Sequence, residues 1–222
     1  IFLPYPSNDQ YQQITDISTD GEVLDFEDAG SYVAWYGEYD NEEKIDSSFS
    51  VTFRYRTYSV EVDFSVIEEI HPYDTTSAIW KNYTGKSGKY IDPENRDIIK
   101  AADRMWDQSE DIVDYARRCY EYVASRFQYL NPNTGIHTLE DNIRNGGGDC
   151  GNLSAIFISL LRNKEIPART VNCIRPEGSF HVWSEFYLEG YGWIPVDVTY
   201  KNADPSGDYF GTYPGDCIVV SY

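Results

Sequence analysis

Three observations predict an α+β fold: helical periodicity confined to the middle of the chain, short alternating strands after it, and an acidic, β-rich stretch before it. Helices first and then an antiparallel sheet is the expected order. The chain has 222 residues, of which 41% are hydrophobic, enough to bury the core of one large domain or two small ones. Residues 1–76 carry 17 Asp/Glu against 3 Lys/Arg, whereas residues 77–222 carry 20 against 15. That shift divides the chain into a β-rich N-terminal region over 1–76 and a core over 77–222.

The elements follow in order. From Phe49 to Val66 apolar and polar residues alternate: Phe49, Val51, Phe53 and Tyr55 share one face, then Tyr58, Val60, Val62, Phe64 and Val66. The phase slips by one near Thr57, which predicts a pair of strands or one bulged strand with a wet face. The tyrosine-rich run from Tyr32 to Tyr39 adds to this region, whose end is placed near His71-Pro72 because a residue before proline is pushed to extended geometry. Asp92 is the expected cap of a helix with Pro93 at its first position and Ile98, Ile99, Ala102 and Met105 turned inward. Ser109 is expected to open a second helix carrying Ile112, Tyr115, Ala116, Cys119, Tyr120, Val123 and Phe127. Thr138-Leu139-Glu140-Asp141 resembles a capping box for a short helix. Gly146, Gly147 and Gly148 then lead into Cys150, followed by Leu153, Ile156, Phe157, Leu160 and Leu161 at the spacing of one buried helix face, ending before Pro167. Beyond it, Ala168 to Ile174, His181 to Leu188 and Trp193 to Val198 read as strands.

Charge and composition exclude several functions. A net charge of −19 argues against a nucleic-acid partner, since counterion release needs a basic surface. The acidic residues form no Asp-x-Asp-x-Asp-Gly loop, so they predict a solvated face, with no metal and no cofactor required. No stretch approaches the roughly 20 apolar residues of a membrane span. The chain begins with Ile1 rather than Met, which is expected of a trimmed or partial product. The four cysteines imply no dense disulfide framework: Cys119 and Cys173 read as small core residues, and a bridge between Cys173 and Cys217 stays open. His71 and His137 are expected at the surface.

The chemistry centres on Cys150. A cysteine at a helix N-terminus meets unpaired backbone N–H groups and the positive end of the helix dipole, which favour thiolate and offer donors to a developing oxyanion. Such a nucleophile needs a base, and the base needs a group to hold its tautomer. His181 and Asp197 are the candidates. On the strand from His181 to Leu188, alternation places His181, Trp183, Glu185 and Tyr187 on one face, while Trp193, Pro195 and Asp197 share a face of the next. A hairpin with the loop Leu188-Glu189-Gly190 would set His181 directly opposite Asp197, with Asp197 accepting from Nδ1. Each residue alone has a bland reading: a buried thiol, a satisfied histidine, a capping aspartate. The same three side chains as a zinc site lack the close ligand spacing such sites use. Trp183, Tyr187, Trp193 and Tyr200 line a groove or pack the sheet face.

These motifs resemble the transglutaminase-like superfamily. The resemblance is carried by Gly148-Asp149-Cys150-Gly151-Asn152, Leu160-Leu161-Arg162, Ile166-Pro167-Ala168-Arg169, His181-Val182-Trp183-Ser184-Glu185 and Gly192-Trp193-Ile194-Pro195-Val196-Asp197-Val198-Thr199, and covers about residues 94–200. It implies a papain/transglutaminase-like core, with Cys150 as nucleophile, His181 as general base and then acid, and Asp197 as its orienting group. It also implies a side chain completing the oxyanion hole upstream of the cysteine, for which Tyr129 is chosen and Asn142 is the alternative. Members include cross-linking enzymes, cysteine peptidases, glycopeptide amidases and copies without activity, so fold alone does not choose. The expectation is a thiol-dependent hydrolase of peptide, protein or cell-wall-type amides, secreted or in the cell envelope. The alternatives are acyl transfer to an amine and a non-catalytic binding or scaffold module.

Overall fold

The computed structural model describes residues 2–4, 8–20, 25–28, 33–36, 50–130 and 137–222. The fold is α+β, and the chain forms two compact units: 1–59 with 171–180 and 214–222, and 60–170 with 181–213.

In the first unit, strand Gln12–Asp20 pairs antiparallel with Ser50–Thr57. The sequence reading missed this partner. Its pattern breaks at Asp16, which adopts φ 53° where the register shifts between Thr15 and Ser18, a bulge at a residue type that tolerates the left-handed region. A second sheet joins Phe2–Pro4, Val33–Tyr36 and Asp25–Asp28. Val33–Tyr36 lies inside the expected Tyr32 to Tyr39 run; the rest of that run, and Phe49, lie outside the described residues. Ile218–Ser221 pairs with the end of Ala168–Ile174, and a disulfide between Cys173 and Cys217 fastens the two. The buried Gln12 amide reads the same strand, donating to Val219 O and accepting from Val219 N–H at 2.8 Å each.

The expected second strand near Val60 is corrected. Only Val60–Glu61 is extended, and it pairs with Thr212–Tyr213 in the second unit. Phe64–Val66 is a 3-10 turn, because the Asp63 side chain accepts from Ser65 N–H and caps it.

The second unit holds six helices among its described residues. Ser77 caps α1 (Ala78–Tyr83), which the periodicity did not reveal. Helix α2 runs Arg96–Trp106 and starts later than expected: Asn95 is its cap, while Asp92 closes a turn by accepting from Glu94 N–H. Helix α3 (Ile112–Arg126) is capped by Asp111, and Ser109 instead donates to Met105 O at the end of α2. In both cases a capping residue further along takes the first free N–H groups of the helix: Asn95 accepts from Asp97 and Ile98 N–H, and Asp111 from Asp114 N–H. Helix α4 (Leu139–Asn145) has the Thr138 cap the motif predicts, with Thr138 Oγ1 accepting from Asp141 N–H.

Helix α5 (Cys150–Asn163) was expected to bury one face, yet every side chain from Asn152 to Arg162 is buried. It runs through the middle of the unit, packed by α2, α3, α4 and α6 (Val198–Ala203). Its polar residues are therefore bonded inside: Ser159 Oγ donates to Ala155 O, and the Arg162 guanidinium donates to Ala168 O, Gly85 O and Ser87 Oγ. Burial pulls the Arg162 pKa down to about 10, against a smaller opposing effect of Tyr83. Strands Phe180–Leu188 and Gly192–Val196 pair antiparallel, and Phe186, Leu188, Ile194 and Val196 join the helical core.

Removing a fully buried side chain from α5 should cost both transfer and cavity free energy. Leu160→Ala is expected to lower stability by about 2–5 kcal/mol, whereas Ile99, expected inward from its spacing but exposed on the outer face of α2, should change it by less than about 0.5 kcal/mol on replacement by Ala. Guanidinium denaturation followed by circular dichroism checks both.

Candidate active site

The nucleophile candidate owes its position to the glycine run. Gly146 has φ 73° and ends α4 in the left-handed conformation that glycine adopts without strain. Gly147 and Gly148 then form a short strand parallel to Gln128–Tyr129, and the approach is close: a Cβ on Gly147 would lie 2.0 Å from Gln128 O, and one on Gly148 2.5 Å from Asn152 Cβ. Gly146 and Gly147 both have positive φ, and Gly147 and Gly148 admit close neighbours. Asp149 caps α5 by accepting from Asn152 N–H at 3.0 Å, so Cys150 is the first residue of the helix. Its thiol is partly exposed, in contrast to the fully buried Cys119.

His181 lies on strand Phe180–Leu188 and Asp197 just beyond the end of Gly192–Val196. The expected register is corrected. Leu188 pairs with Gly192 and Ser184 with Val196, so the loop is Glu189-Gly190-Tyr191 and the ladder is displaced by two residues from the predicted one. A two-residue shift leaves side chains on their original faces, because alternation has period two. His181 and Asp197 therefore share a side although they are not directly opposed. The remaining gap is closed by the chain leaving the sheet: Asp197 is the N-cap of α6, not a strand residue.

Asp197 Oδ1 accepts from Thr199 N–H and Tyr200 N–H, both at 2.9 Å, which fixes the carboxylate and turns Oδ2 toward the histidine. His181 Nε2 donates to Asp197 Oδ2 at 2.6 Å, and both residues are buried. The bonded nitrogen is Nε2 rather than the expected Nδ1. Cys150 at the head of α5 also acts on the imidazole, its hydrogen bonding and its charge both favouring the protonated ring. Burial works to deprotonate His181, but the hydrogen bonds and charges of Asp197 and Cys150 outweigh it and push its pKa up to about 9.

Tyr129 is exposed and aligned with Gly148, two residues before the thiol; its backbone N–H donates to Asn202 Oδ1 at 2.9 Å. Asn142 is buried and donates from Nδ2 to Asn152 Oδ1 at 3.0 Å, so its amide is bound to the first turn of α5. The sequence reading passed over two features: that Asn142–Asn152 pair, and the Tyr200 ring laid on the imidazole with centroids 5.0 Å apart. Asn152 and Tyr200 each follow a motif residue by two or three positions, which is the only signal letters could carry. Trp183 and Tyr213 stack at 4.9 Å, Trp183 being buried in the sheet face. Among the described residues no group of three or more His, Cys, Asp or Glu is placed to hold a metal, and no helix is long and apolar enough to cross a membrane.

Residues 99–198 match the transglutaminase-like superfamily. An uncharacterized protein of Haemophilus influenzae is 21% identical over 239 residues; the match takes in 89% of this chain, and the chain spans 62% of that protein's length. The structure resembles a candidate cysteine protease from Cytophaga hutchinsonii, with TM-score 0.68 at 15% identity over 99% of this chain and 74% of that one. It also resembles the periplasmic domain of TgpA from Pseudomonas aeruginosa, with TM-score 0.50 at 17% identity over 91% and 69% of the two chains. At these identities the likeness concerns the fold.

The raised His181 pKa makes stability depend on pH. A histidine lifted from 6.5 to about 9 stabilises the folded state fully below pH 6.5 and loses that contribution as pH climbs through 9. The upper bound is about 3 kcal/mol. Wild-type stability should therefore fall between pH 6.5 and 9, and Asp197→Asn should flatten that fall, as read from denaturation midpoints across the range.

Proposed function

With a transglutaminase-like core over residues 99–198 as the premise, we propose that this chain is a thiol hydrolase of peptide or related amide bonds. The single observation that carries the proposal is the buried His181–Asp197 hydrogen bond of 2.6 Å, with the partly exposed Cys150 acting electrostatically on the same imidazole. The catalytic core is assigned to residues 77–222.

In this reading the Cys150 proton already resides on His181, and the thiolate attacks the carbonyl carbon of the amide. The oxyanion is met by backbone N–H groups at the start of α5, preorganised by the Asp149 cap. Tyr129, held beside Gly148, is assigned as the side-chain donor. Imidazolium then protonates the leaving nitrogen, the C–N bond breaks, and a thioester to Cys150 remains. His181 next takes a proton from water, hydroxide attacks the thioester, and the sulfur leaves with the proton returned through the imidazole. Asp197 keeps Nε2 occupied throughout, so that Nδ1 is the nitrogen that exchanges protons.

Water is the assigned acceptor. The peptide class follows the cysteine protease to which the fold is similar. An extracytoplasmic location is supported by the Cys173–Cys217 disulfide and by the likeness to a periplasmic domain.

Two measurements test this. At pH 6 iodoacetamide should alkylate Cys150 at least about tenfold faster in the wild type than in His181→Ala, because an unassisted thiol is almost wholly protonated there. Against a library of peptide amides, Cys150→Ala and His181→Ala should each lose at least about 10³-fold in kcat. With excess glycine ethyl ester the free acid should remain the main product. An amide of the added amine would indicate acyl transfer instead. Labelling indifferent to His181, with no turnover, would indicate a binding module.

A further inference from the structure

We infer that Tyr200 is a positioning residue for His181, its ring lying against the imidazole so as to fix the plane of the base and favour its cationic form. The inference rests on the catalytic reading above but draws on a separate contact. The two rings are nearly parallel, with 17° between planes and centroids 5.0 Å apart. A histidine anchored by one hydrogen bond still rotates about the line of that bond, because its outer torsion is broad. The bond to Asp197 Oδ2 therefore fixes where Nε2 sits without fixing where Nδ1 points. A flat ring on one face removes the rotation.

Tyr200 is well placed for this because the same turn of chain carries both constraints. Its backbone N–H donates to Asp197 Oδ1 at 2.9 Å while its side chain covers His181. Any movement of the head of α6 would displace the carboxylate and the covering ring together. On the neighbouring strand position Trp183 lies 6.2 Å from the imidazole at 28°, and it is itself backed by Tyr213 at 4.9 Å. Tyr200 is in turn met by Tyr209 at 5.4 Å, whose carbonyl accepts from Asp197 N–H. The histidine is thus set in a row of aromatic rings.

The electrostatics point the same way. The groups that act on the His181 charge are Asp197 at the head of α6 and Cys150 at the head of α5. Burial opposes both. An aromatic face attracts a cation through its quadrupole, and the attraction grows where water is excluded. Tyr200 therefore stabilises imidazolium, the species that must protonate the leaving nitrogen, at a site whose burial favours the neutral ring.

The test is the titration of His181 followed by long-range ¹H–¹⁵N NMR in the intact protein, in Tyr200→Leu and Tyr200→Phe. Leucine should lower the midpoint by about one pH unit, and phenylalanine should restore it. With a peptide amide substrate the basic limb of kcat should move with the midpoint while KM stays put. Should leucine fail to fold by circular dichroism, Tyr200→Met carries the same comparison. A folded aliphatic variant whose titration superimposes on the wild type would overturn the inference and leave Tyr200 as packing. Failure of the catalytic reading is distinguishable, since it appears as Cys150 alkylation that ignores His181→Ala while the titration still reports on the ring.

Discussion

The arrangement depends on one buried hydrogen bond, His181 Nε2 to Asp197 Oδ2 at 2.6 Å, formed between a strand and the cap of the helix that follows its hairpin partner. Neither end is free to choose. Asp197 spends its other oxygen on two backbone N–H groups of α6, and His181 is buried on its strand. The carboxylate therefore serves as a helix cap and as the histidine's anchor at once. A group removed from water at this cost in desolvation is stable only when its bonds are complete, so the turn from sheet to helix and the geometry of the imidazole are one constraint.

The other half of the site is built by close backbone approach. Gly147 and Gly148 let the chain run against Gln128 and Asn152, and Asp149 then starts a helix that is buried on all sides beyond its first turn. A helix so enclosed holds its first residue at a fixed point of the core. The thiol, the imidazole and the carboxylate thus come from three elements that each have little freedom of their own. Preorganisation of that kind is what a thiol hydrolase requires, because the energy of ordering its groups is supplied by folding rather than by the substrate.

Much of this was legible in the letters because the relevant signals are local or periodic. Cys150 stands out through the glycines before it and the apolar spacing after it. Alternation alone places His181 and Asp197 on one side of the sheet, and moving the loop by one residue, which shifts each cross-strand partner by two, does not disturb that, since the shift equals one full repeat. What escaped were competitions between chemically similar neighbours. Asp92 and Asn95, and Ser109 and Asp111, all favour caps, and packing decided between them. Alternation runs on through Asp197, which is nonetheless a helix cap. The strand Gln12–Asp20 was hidden by its polar character and by the bulge at Asp16, and the Tyr200 stack depends on the direction in which α6 leaves the sheet, which no pattern in the sequence encodes.

The central claim is that Cys150 carries the acyl group during turnover. Intact-protein mass spectrometry after rapid acid quench of the enzyme mixed with a peptide amide tests it most directly. The account predicts an added acyl mass on the peptide containing Cys150, released by hydroxylamine and missing from Cys150→Ala. A substrate consumed at an undiminished rate with no such adduct, in wild type and Cys150→Ala alike, would contradict it.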